Sequence, residues 1–73
     1  MAPEDIKQLL VVAFKRTILR DSVLSIEPRS NTGVIIYRSS WSGRYLKHLL
    51  IITEKLNLTF VVLNSNEVLV YEN

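Results

Sequence analysis

The sequence predicts one α+β domain in which two helices pack on a single four-stranded antiparallel sheet. The length of 73 residues suits one domain. A hydrophobic content of 48%, with only two Gly and two Pro, is typical of a packed chain rather than a disordered one. A helical hydrophobic pattern followed by two β-rich runs occurs twice along the chain. The predicted order of elements is therefore αββαββ, in one domain over residues 1–73.

The two halves of the chain resemble each other. Residues 6–15 and 46–55 agree in residue class at nearly every position, and residues 33–37 resemble residues 67–71. Because the matched segments follow one another in the same order, we interpret them as a structural repeat. Chance similarity between apolar segments is the alternative interpretation.

The first predicted helix covers residues 3–19. Pro3 suits the first turn, where a missing N–H costs nothing, and Glu4 and Asp5 follow at the positive end of the helix dipole. Apolar or small side chains then recur at helical spacing, at Ile6, Leu9, Leu10, Ala13 and Thr17.

The second predicted helix begins after Ser42, a favourable N-cap residue, and ends at Asn57. Its apolar stripe consists of Leu46, Leu49, Leu50, Thr53 and Leu56. The β-branched pairs at residues 11–12 and 51–52 weakly favour strands. Helical spacing extends beyond both pairs, so we predict helices.

Two β-rich runs follow each predicted helix. They cover residues 22–27, 32–38, 58–64 and 67–72, and turn-forming residues at 28–31 and 65–66 separate the members of each pair. Two helix-hairpin units, at about 3–39 and 42–73, form a two-layer sandwich whose second and fourth strands are central. This topology is a circularly permuted ferredoxin-like fold with a pseudo-twofold axis.

Three of the predicted strands are apolar on both faces, at residues 34–37, 60–63 and 68–71. A two-layer sandwich needs only one apolar face per strand, so the other face indicates a partner. A small core without Cys favours the same conclusion. The candidate interface residues are Val11, Ile18, Ile35, Tyr37, Ile51, Leu69 and Tyr71. Alternatively, these residues simply favour strand backbone at partly exposed positions.

Nucleic-acid binding is the second functional hypothesis, because residues 15–47 hold seven cations against two acids. On an open sheet, exposed aromatic side chains stack on unpaired bases, and Tyr37 and Tyr71 are the candidates for this contact. No RNP1 pattern surrounds either tyrosine. The candidate nucleic-acid or anion-binding residues are Arg29, Arg38, Trp41, Ser42, Gly43, Arg44 and Lys47. A Ser-rich connector with an N-cap explains several of them without a ligand. Trp41 either folds back on the core or anchors a partner.

The sequence gives little support for catalysis. His48 is the only histidine, is expected to face solvent, and has no Cys to pair with. The acids lie mostly at the ends of elements. We therefore predict no enzyme activity, no cofactor and no metal. Without a signal peptide or a long apolar stretch, we predict a cytoplasmic protein that does not enter the membrane.

Residues 34–40, the Gly43-Arg44 pair and the apolar segment 46–56 resemble the small dimerising subunit of the KEOPS tRNA-threonylcarbamoylation complex. The resemblance spans residues 7–56, about two thirds of the chain. It implies a subunit that is not catalytic, dimerises, supports a catalytic subunit and helps to hold tRNA. This chain departs from that family by lacking a strand before the first helix and by adding a hairpin after the second. The sequence thus predicts a non-enzymatic interaction module, as a homodimer or as a small subunit or regulator of a larger complex.

Overall fold

The computed structural model describes residues 1–29 and 32–73. The elements in chain order are α1 (Pro3–Phe14), β1 (Val23–Arg29), β2 (Gly33–Arg38), α2 (Gly43–Lys55), β3 (Leu58–Val62) and β4 (Glu67–Glu72). The predicted α+β class and the order αββαββ are confirmed. Within the predicted turn at 28–31, Ser30 and Asn31 lie outside the described residues.

The four strands form one antiparallel sheet in the order β1-β2-β4-β3. The two central strands are β2 and β4, as predicted, and this is the strand order of the permuted ferredoxin-like topology. Ile35 lies opposite Leu69 in the pairing of the central strands. The sequence repeat also equates these two residues, as a pseudo-twofold axis between β2 and β4 requires.

The first helix is shorter than predicted, because α1 ends at Phe14 and not at Leu19. The Thr17 hydroxyl donates a hydrogen bond to the Phe14 carbonyl, with an O–O distance of 3.1 Å, and accepts one from the Leu19 N–H at 3.1 Å. A threonine that bonds to nearby backbone groups in this way competes with the helix. The chain turns instead and buries the Leu19 side chain in the core.

The early end of α1 also explains why the distance in sequence between equivalent residues of the two halves differs between helices and strands. Equivalent helical residues are 40 positions apart, whereas equivalent strand residues are 34 apart. The connection after α1 covers residues 15–22, and the one after α2 covers only residues 56–57. The six extra residues of the first connection account for the whole difference.

The second helix has the predicted ends. Ser42 is its N-cap residue, and Asn57 follows its C-terminus with φ of 59°. This is the left-handed region, which Asn tolerates better than most residues and which prevents the helix from continuing.

Both helices pack on the same face of the sheet, here called the inner face. α1 contacts β1, β2 and β4, and α2 contacts β3. The central strands contribute alternate residues to this core, Val34 and Ile36 from β2 and Val68 and Val70 from β4. The other buried apolar side chains are Ile6, Leu10, Phe14, Leu19, Ile26, Trp41, Leu49, Ile52 and Leu58. The opposite side of the sheet, here called the outer face, therefore carries the intervening residues of each strand.

Candidate functional site

The outer face of the sheet carries an apolar row across three adjacent strands. In the strand register, Ile35 of β2 lies beside Leu69 of β4, and Leu69 lies beside Val61 of β3. These three residues are called the apolar row below. Neighbouring residues on one face of a sheet contact each other directly, so the row is continuous, although only Leu69 and Val61 reach the solvent.

Exposure increases along the apolar row towards β3. Ile35 is 1% exposed and so is not accessible to a partner, contrary to its prediction as an interface residue, whereas Val61 is 44% exposed. The residues that β1 adds to this face are polar, namely Ser25, Glu27 and Arg29. Among the register-paired residues of the outer face, the accessible apolar surface is therefore concentrated at β3. On β1, Leu24 is 72% exposed at the irregularity between Val23 and Ser25.

Two tyrosines lie on either side of the apolar row, at equivalent positions of the central strands. Tyr37 pairs with Glu67, and Tyr71 pairs with Gly33. Partial desolvation, together with the neighbouring Glu67 carboxylate, raises the pKa of the Tyr37 phenol above its usual value of 10.0. A hydrogen bond to that carboxylate contributes to the shift, so the Tyr37 hydroxyl already has an acceptor within the chain.

The structure divides the seven candidate interface residues into two groups. Ile35, Tyr37, Leu69 and Tyr71 share the outer face. The other three lie on the helical side of the molecule: Val11 packs against the core, Ile18 lies half-buried in the connection after α1, and Ile51 is exposed on α2. A single partner on the outer face would leave these three untouched.

The groove between the two helices holds the only histidine of the sequence. His48 and Ile51 of α2 line this groove together with Arg16. The His48 side chain is half-buried, so the predicted solvent-facing position is only partly correct. Helical spacing gave its direction relative to the core but could not reveal that α1 lies alongside it.

The candidate anion-binding residues do not form one cluster. Arg29 is at one end of β1, whereas Arg38 pairs with Val23 at the other end. Trp41 is buried, and its indole N–H donates to the Ile36 carbonyl at 3.2 Å, so this side chain folds back on the core. The exposed candidates at the start of α2 are Ser42, Gly43, Arg44 and Lys47.

Arg38 lies inside the protein on the inner face and is 5% exposed. Its guanidinium carbon is 3.4 Å from the centre of the Tyr45 ring, and its Nε donates to the Ser22 hydroxyl at 3.3 Å. Its Nη1 is buried and has no hydrogen-bond partner among the residues that the structure describes. The burial of Arg38 follows from the alternation of β2, since residues 34 and 36 also face inwards.

Replacing Arg38 by Met is expected to raise the free energy of unfolding by about 1 kcal/mol. Burial of a guanidinium with an unpaired N–H costs more than a stack on an aromatic ring returns. Methionine keeps the apolar stem and a favourable contact with the Tyr45 ring. Urea denaturation measures the change, with Arg38→Ala as the control that lowers stability by leaving a cavity. A loss of stability in Arg38→Met would show that the stack on Tyr45 outweighs the cost of burial.

No family model, no curated protein and no solved structure matches this chain. Across residues 1–29 and 32–73, no three His, Asp or Glu side chains lie close enough to hold a metal ion. Within the same ranges, neither helix has the length and apolar character needed to cross a bilayer. The fold and the outer face define a small α+β domain with an apolar sheet surface that its own helices leave uncovered.

Proposed function

We propose that the protein is a non-enzymatic interaction module that acts as a homodimer or as a small subunit of a larger complex. The apolar row supports this proposal. Both helices cover the inner face, while Val61 and Leu63 remain nearly half exposed on the outer side. Burial of apolar surface contributes about 25 cal/mol per Å², so a partner on this surface is favoured.

The size of the domain supports the same proposal. A core of this size supplies about 3 to 5 kcal/mol of net stability, and the chain has no Cys to form a disulfide. A partner that binds only the folded state adds to this stability by mass action. Binding of a partner to the exposed apolar surface would thus also stabilise the folded chain.

Sedimentation velocity at micromolar concentration tests the homodimer directly. The proposal predicts a particle of twice the 8.4 kDa chain mass, which dissociates on dilution. A particle that keeps the monomer mass at every concentration would contradict the homodimer and leave a different protein as the partner.

Nucleic-acid binding is the second proposal, and the tRNA-related role implied by the KEOPS resemblance belongs with it. Arg44 and Lys47 support it, because both are exposed and lie one helical turn apart on α2. Arg38 and Trp41 lie inside the protein and are not accessible to a phosphate or a base. A titration of single-stranded RNA and duplex DNA against salt tests this proposal, because phosphate contacts weaken steeply with salt. Undetectable binding at low salt would contradict it.

A further inference from the structure

The two edge strands of the sheet, β1 and β3, differ in how well their open sides are protected. An edge strand presents unpaired N–H and C=O groups, and proteins usually protect it with charges, Pro or a bulge. β1 has all three: Glu27 and Arg29 are charged, Pro28 lies within the strand, and the register shifts between Val23 and Ser25. A new strand therefore pairs poorly with β1.

The position of Pro28 shows that its nitrogen lies on the open side of β1. The Arg38 N–H donates to the Asn66 carbonyl at 2.9 Å, so even-numbered residues of β2 bond towards β4. Ile35 then bonds towards β1, where its register partner is Glu27. Pro28, the next residue, faces outwards and has no N–H to offer.

The open side of β3, here called the β3 edge and comprising residues 58–63, lacks this protection. The Leu63 N–H donates to the Glu67 carbonyl at 2.9 Å, so odd-numbered residues bond towards β4. The N–H and C=O groups of Phe60 and Val62 therefore point outwards. The sequence has no charged residue and no Pro from residue 56 to 66. Val61, Val62 and Leu63 are 44%, 45% and 47% exposed.

We propose that a second copy of this chain pairs with the β3 edge in antiparallel orientation, with a twofold axis through Val61. This inference rests on the proposed homodimer and names its interface. The outward groups of Phe60 then bond to those of Val62 in the second copy, and Val61 faces Val61. An uncharged strand is complementary to itself in this orientation, because no like charges face each other. The two sheets join into one, and the apolar row continues across the axis.

The helical side of the β3 edge also fits a second copy. His48, Ile51 and Lys55 line the groove towards α1. Helical spacing then places Leu50, which is 48% exposed, on the opposite flank of α2, above β3. A stable dimer buries about 800 Å² per partner, which is more than one pair of strands provides. Further contact between the two copies comes from Leu50 on the helical side of the sheet and from the apolar row on the outer face.

Cross-linking through a single introduced cysteine tests this interface, because the chain has no Cys of its own. Residues that face each other at a non-hydrogen-bonded pair have Cα atoms about 4.5 Å apart, a separation that a disulfide can bridge. Under mild oxidation, the Val61→Cys variant is expected to form a disulfide-linked dimer. Leu24→Cys is the matched control, since Leu24 is 72% exposed on the β1 side. We expect the control to cross-link at least about tenfold more slowly.

The outcomes separate this inference from the proposal on which it rests. Rapid cross-linking of Val61→Cys, reversed by a reducing agent, supports the β3 edge. Dimers in sedimentation with equal cross-linking rates for the two variants would overturn this interface and leave the homodimer intact. Monomers in sedimentation would overturn both. As a second variant, Val62→Pro removes only an outward N–H, so it should weaken the dimer while circular dichroism shows a folded chain.

Discussion

Replacing Gly33 by Ala is expected to lower the free energy of unfolding by about 3 kcal/mol, which is most of the stability of a domain this small. A Cβ atom at Gly33 would lie 2.2 Å from the Val70 carbonyl oxygen and 3.1 Å from the Tyr71 Cβ. The obstacle is the backbone of the adjacent central strand, so the added Cβ atom can be accommodated only if β2 and β4 separate. Thermal or urea denaturation followed by circular dichroism measures the loss.

Gly43→Ala is the matched control for this substitution. A Cβ at Gly43 would meet no atom of the described residues within 4 Å, and the residue begins α2. Alanine favours helix by up to about 1 kcal/mol over glycine, so stability should stay the same or rise slightly. If Gly33→Ala were as stable as this control, the close pairing of β2 with β4 at Gly33 would be incorrect.

Replacing Trp41 by Ala is expected to destabilise the fold by about 3 to 5 kcal/mol. The substitution removes a buried ring from the core and the hydrogen bond from the indole to the Ile36 carbonyl. It also removes the contact between the indole ring and the Arg38 guanidinium, whose carbon lies 5.6 Å from the ring centre. Trp41 is the only tryptophan, so the variant has no tryptophan fluorescence with which to follow unfolding. Circular dichroism during denaturation measures the loss instead.

Trp41→Phe is the matched control, because it keeps an aromatic ring and loses the indole N–H. Its expected cost is about 1 kcal/mol, the usual contribution of one hydrogen bond. If Trp41→Ala were as stable as the unaltered protein, the indole would be a contact for a partner and not a part of the core.

The order of helices and strands was predictable because hydrophobic periodicity depends on local sequence. The sequence repeat also indicated which strands are central. The end of α1 was not predictable from periodicity, since it depends on hydrogen bonds of the Thr17 hydroxyl that compete with the helix. Pro28 was assigned to a turn but lies within β1, because an edge strand needs no N–H on its open side.

The candidate site was predictable only in part. Apolar residues on both sides of β2 and β4 indicated a partner surface on the outer face. Leu69 is partly exposed there, whereas Ile35 is buried by its own chain. Its concentration at β3 was not predictable, because it depends on strand order and on the direction of backbone groups. Arg38 was assigned to the surface because of its charge, although its spacing from residues 34 and 36 places it inside.

The dimer dissociation constants of Val61→Lys and Leu24→Lys, compared by sedimentation equilibrium, test the proposed interface most directly. Both substitutions place a charge at an exposed apolar position, one on each edge strand. Val61→Lys removes the apolar contact between the two Val61 side chains and places two lysines opposite each other across the proposed axis, so we expect its dissociation constant to rise by at least about 100-fold. Leu24→Lys should stay within about twofold of the unaltered protein. Equal dissociation constants for the two variants would contradict the claim that the apolar surface at β3 binds a second copy.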